Sequence, residues 1–76
     1  MSHPGEYFGI YRGIIVATND PLNKGRVMLK IPQVSGEEVT NWAWPIDKTL
    51  TPVVNTPTWV MFEGGNPNFP LWLGTF

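Results

Sequence analysis

The chain has 76 residues, no cysteine and a single histidine, His3. No disulfide can staple it, and no thiolate or His-Cys metal site can be assembled, so neither a metal nor another cofactor is expected. Charge is also scarce. Five Lys/Arg stand against six Asp/Glu, 14% of the chain, for a formal net charge of −1. Such a balance gives no long-range pull toward nucleic acid or an anionic membrane. No apolar run approaches the ~18 residues of a membrane span. Met1–Gly5 has neither the basic start nor the apolar stretch of a secretory leader, so cytoplasmic synthesis and folding are expected. A sustained helical period is missing too. Pro4, Pro21, Pro32, Pro45, Pro52, Pro57, Pro67 and Pro70 interrupt every candidate.

What is present is apolar and turn-rich. Apolar residues make up 42%, four of them Trp, with eight Gly and eight Pro. That composition is too hydrophobic for disorder and suits an all-β domain with many turns. The length allows one domain, read as an N-terminal arm over 1–9 and a barrel over 10–76. A domain this small buries only about 60% of its unfolded surface, so contacts with a partner subunit are a natural source of added stability.

Strand signals recur between turn residues. The first strand is expected over Ile10–Thr18; Ile14, Ile15 and Val16 in succession suggest burial on both faces or a bend at Gly13. Asp20 and Pro21 open the following turn and Gly25 closes it. The second strand, Arg26–Ile31, alternates, with Val27, Leu29 and Ile31 facing the core. Gln33–Asn41 reads as a polar connection. The third strand covers Trp42–Ile46, with Pro45 marking an edge or bulge. Asp47–Pro57 is an irregular link. The fourth strand, Thr58–Glu63, sends Val60 and Phe62 inward and Trp59, Met61 and Glu63 outward. Gly64, Gly65 and Pro67 shape the last turn, and Pro70–Thr75 is the last strand. Five short strands without a substantial helix predict a small Greek-key barrel, an OB fold, with an SH3-like barrel as the nearest competitor.

Catalytic chemistry finds little material. Glu37 and Glu38 are adjacent in a loop and would diverge, and Asp20 and Asp47 adjoin turns. Ser2 and Ser35 have only His3 as a base, so no triad is expected. Gly64-Gly65 lacks the Lys-Ser/Thr of a phosphate loop. Arg26 and Lys30 with Trp42 and Trp44 could form a basic, aromatic face for single-stranded nucleic acid, but five scattered cations supply little. Outward Met28, Trp59 and Met61 suggest instead a patch that another protein covers, and Tyr7 and Phe8 suggest an arm that docks on a neighbour.

Gly13-Ile14-Ile15-Val16, then Asp20-Pro21-Leu22 and Gly25-Arg26-Val27-Met28-Leu29-Lys30-Ile31-Pro32, resemble the start of the OB domain of contractile-tail hub and spike proteins, shared with the type VI secretion spike. Trp42-Ala43 with Pro45 resembles its third strand. Trp59-Val60, Phe62-Glu63-Gly64-Gly65, Pro67 and Pro70-Leu71-Trp72-Leu73-Gly74 resemble its closing hairpin. Asn55, Asn66, Asn68, Phe69 and Met28 depart from that pattern. The resemblance implies a non-enzymatic structural part of a virion tail baseplate. Such a part is commonly a trimer, linking hub to spike or tip beside hub, spike or tail-tube proteins. A single-stranded nucleic-acid-binding OB protein and a carbohydrate-binding OB module at a tail tip stay open as alternatives.

Overall fold

The computed structural model describes residues 6–76; Ser2, His3 and the rest of the first five positions of the arm lie outside the described residues. Five strands form one curled sheet: β1 (Tyr11–Ala17), β2 (Met28–Lys30), β3 (Trp44–Pro45), β4 (Pro57–Phe62) and β5 (Pro70–Thr75). Their spatial order is β2-β1-β4-β5-β3. Val27 and Ala43 then close the circuit by exchanging backbone hydrogen bonds, Val27 N–H to Ala43 O at 3.0 Å and Ala43 N–H to Val27 O at 2.6 Å.

One pairing decides between the two barrels that the strand pattern left open. β3 runs parallel to β5, with Trp44 beside Leu71 and Pro45 beside Trp72. Parallel neighbours need a crossover, here supplied by the intervening β4, and a simple meander has none. The domain is an all-β OB-fold barrel.

β1 changes partners along its length. Tyr11–Ile14 pair with β4 and Ile14–Ala17 with β2, with an irregularity between Ile15 and Ala17. Gly13 sits at this change-over because there is no room for a side chain. A Cβ there would lie 3.0 Å from Val60 Cγ2 and 3.2 Å from the Lys30 carbonyl oxygen. The expectation of a first strand buried on both faces is corrected: Ile15 is fully buried, but Ile14 is exposed, so the strand alternates like the others.

Ile15, Val27, Leu29, Ile31, Ala43, Val60, Phe62 and Trp72 form the core. The inward assignments of Val27, Leu29, Ile31, Val60 and Phe62 hold. Regular pairing in β2 is shorter than the sequence suggests, and β3 is reduced to two residues. Pro45 lacks the N–H that would extend the ladder. The polar connection after β2 contains a single helical turn, α1 (Pro32–Ser35), started by Pro32 at a first-turn position and closed by Gly36 at φ +60°. The Asp47–Pro57 link carries no helix and sends Leu50 against the core.

Candidate functional site

The alternation that fills the core also fixes what faces outward. With Val60 and Phe62 inside, β4 presents Trp59 and Met61 on the convex side of the sheet. Register brings neighbours to them. Arg12 on β1 pairs with Trp59, and Leu71 on β5 pairs with Met61. Trp44 on β3 stands beside Leu71. Ile10, Trp59 and Leu73 line a shallow apolar groove of about 410 Å3. Ile10, Ile46 and Trp44 are 58%, 59% and 48% exposed. The outer face therefore carries apolar side chains across four strands, with the guanidinium groups of Arg12 and Arg26 against its tryptophans.

Trp59 is held by neighbours of its own chain. Phe76 stacks on its ring at 4.6 Å between centroids, and the Arg12 guanidinium lies 5.5 Å above it. Arg12 makes no ion pair among the described residues. The Asp47–Pro57 link does not cover this face, and Met61 remains exposed.

The sequence reading placed Met28 in the same patch, and the register separates them. Met28 pairs with Ala17, five residues along β1 from the partner of Trp59, or about 16 Å at strand spacing. Tyr7 docks on its own chain. Its N–H donates to Gly65 O at 2.7 Å, and its ring packs on Tyr11 and Phe62 at 5.9 and 5.8 Å. Phe8, largely exposed, lies over Gly65, so residues 7 and 8 both touch the last turn. Ile10, Leu71, Leu73, Trp44 and Ile46 were missed as members of the face. Alternation from the buried Trp72 would have found Leu71 and Leu73; the others need the sheet order.

The turn residues perform as their chemistry requires. Asp20, itself buried, accepts backbone N–H bonds from Leu22 (2.9 Å), Lys24 (2.9 Å) and Arg26 (3.3 Å). It also takes Arg26 Nη2 at 2.7 Å and Nε at 3.0 Å. The Arg26 side chain, aided by these amides against the opposing effect of burial, holds the Asp20 carboxyl well below the usual carboxylate range. Pro21 begins the turn, and Gly25 leaves it at φ +75°. Gly64 and Gly65 take φ +60° and +75° in a 3-10 turn over Glu63–Gly65, and Pro67 lies in the turn that follows.

The same geometry pairs both cations of the basic, aromatic face with carboxylates. Arg26 is committed to Asp20 and packs against the rings of Trp42 and Trp44, 5.5 and 5.3 Å away. Lys30 pairs with Glu37 at 3.1 Å. Arg26 is thereby held in a buried pair, whereas the Lys30 bridge is exposed and weak. Among the described residues, no three His, Cys, Asp or Glu side chains gather as a metal site would require.

A family model described as the type VI secretion system/phage-baseplate injector OB domain matches residues 11–76. Among curated proteins, nothing matches the chain.

Proposed function

Because the chain belongs to the family of type VI secretion system and phage-baseplate injector OB domains, we propose that it is a non-enzymatic connector in a contractile tail baseplate, joining the central hub to the spike or tip. The observation that supports this most is the apolar outer face of β1, β4, β5 and β3, against which, among the described residues, Phe76 is the segment that packs on Trp59. A contact that transmits force between rigid parts favours large side chains already packed in place, and Trp59 against Phe76 and Arg12 is one. The barrel supplies the stiffness, since a closed sheet leaves no long free edge. Hub, spike or tail-tube chains and sister copies are its proposed partners. A trimer about the tail axis is the proposed copy number, and the virion tail its place.

The test is uptake into tails. Tails assembled with the Trp59→Ser/Met61→Ser variant should lose the protein after purification, while the isolated variant keeps its fold by circular dichroism. Full retention of the folded variant in purified tails would defeat the connector reading.

A further inference from the structure

Between the connection after β2 and the last turn lies a pocket of about 190 Å3. Buried Ile31 and Phe62, with half-buried Val34, give it an apolar floor. Glu38, Asn41 and Asn68 add polar groups. Asn41 Nδ2 donates to the Asn68 carbonyl oxygen at 3.5 Å, across 27 residues of sequence, and so ties the two walls together. Glu38 is exposed and makes no ion pair among the described residues, while its neighbour Glu37 is taken by Lys30. No Lys or Arg is among the described residues that line the pocket.

We propose that this pocket seats one lysine side chain of a partner protein, with its methylenes on Ile31, Val34 and Phe62 and its ammonium at Glu38. The site shares no residue with the outer face, so the proposal goes beyond the connector reading and does not depend on it. Size limits the occupant. An apolar cavity of ~150 Å3 is filled by benzene, which is about the size of a lysine side chain, whereas cofactors and drug-sized ligands take roughly 300–1,000 Å3. Charge narrows the choice further. A carboxylate without a cation, beside the side-chain amides of Asn41 and Asn68, disfavours an acidic group and offers an ammonium its acceptors. The floor matches the rest of the side chain, since lysine buries its stem along apolar surface while its charged head stays in water.

Blocked tripeptides, which present a side chain from a backbone as a partner would, test this by NMR titration of the isotope-labelled protein. Gly-Lys-Gly should shift the amides of Val34, Glu38, Asn41 and Asn68, with a Kd in the millimolar range. Gly-norleucine-Gly, with the same stem and no charge, should bind about 3-fold more weakly, the difference an exposed ion pair supplies. Gly-Glu-Gly should leave these amides unmoved. Glu38→Gln should bring the lysine peptide down to the norleucine level. Glu38 is tied to Ser35 through its backbone, so this variant keeps its fold. The absence of shifts at these amides overturns the proposal, as does a lysine preference that survives Glu38→Gln. Tighter binding of the norleucine peptide, or of Gly-Phe-Gly, also overturns it and makes the pocket an anchor for an apolar side chain.

Discussion

Asp20 and Arg26 meet fork to fork, Nη2 on Oδ1 at 2.7 Å and Nε on Oδ2 at 3.0 Å, and the same carboxylate accepts from the backbone amides of Leu22, Lys24 and Arg26 itself. Two-point pairing of this kind fixes direction as well as distance. The loop is therefore organised around one side chain. Removing it strands the Leu22 and Lys24 amides and the guanidinium together. Asp20→Ala should lower Tm by on the order of 10 °C, and Arg26→Lys, which keeps the charge but loses the second contact, by less. Thermal unfolding followed by circular dichroism measures both. Equal Tm values for Asp20→Ala and wild type would show the loop to be held some other way.

The same pair sets an acid limit. Folding depresses the Asp20 pKa, so between the folded value and the unfolded value near ~3.9 the unfolded chain binds more protons. Stability from this pair is fully present above about pH 4 and falls as pH drops toward the depressed folded value. Asp47, lowered by hydrogen bonds from Thr49, acts in the same direction. Between pH 5 and pH 2 the wild-type Tm should fall more steeply than that of Asp20→Asn, whose amide does not titrate. Parallel curves would remove Asp20 from the acid response.

The sequence exposes this loop plainly because its signals are local. Asp20, Pro21 and Gly25 act through backbone a few residues away, so their spacing alone carries the geometry. Inward Val27, Leu29, Ile31, Val60 and Phe62 were legible for the same reason, since alternation is a property of one strand. Ile14 was misread because three β-branched residues in succession, Ile14, Ile15 and Val16, hide the alternation. The outer face was half legible. Trp59 and Met61 follow from β4, whereas Ile10 and Trp44 join them only through the pairing of β1 with β4 and of β3 with β5. Met28 looked equivalent to Trp59 in its own strand, and only register shows the distance between them.

Gly65 offers a test of how the arm is held. Its φ of +75° disfavours any side chain, and a Cβ would come 2.5 to 2.8 Å from the Phe8 ring. The ring is free to swing aside, but the backbone strain is not relieved by that. Gly65→Ala should cost about 1–2 kcal/mol. Phe8→Ala in the same chain should recover little of it. Full recovery in the double variant would show that the steric clash, not the dihedral angle, dominates.

Binding to single-stranded nucleic acid should be weak. With Arg26 on Asp20 and Lys30 on Glu37, the other cations, Arg12, Lys24 and Lys48, form no continuous stripe in the sequence or the sheet. Anisotropy of labelled oligo-dT at physiological salt should give a Kd no tighter than about 100 µM, with a shallow salt slope. Micromolar binding that collapses as salt rises would restore the nucleic-acid reading.

Trp72 ties the first loop to the last strand. It is buried on β5, and its Nε1–H donates to the Gly25 carbonyl oxygen at 3.2 Å, 47 residues away in sequence. Gly25 lies two residues before Val27, which closes the barrel on Ala43. Phenylalanine at this position would lose the donor, leave the carbonyl unpaired and open space in the core. Trp72→Phe should cost about 3 kcal/mol. Its mark should be local as well as global. In native-state hydrogen exchange the amides of Val27 and Ala43, whose mutual bonds form the seam, should lose more protection than those of Val60 in the β1–β4 pairing. A uniform loss across all strands would mean that Trp72 only fills space. A loss concentrated at the seam would show that the indole N–H keeps the barrel closed.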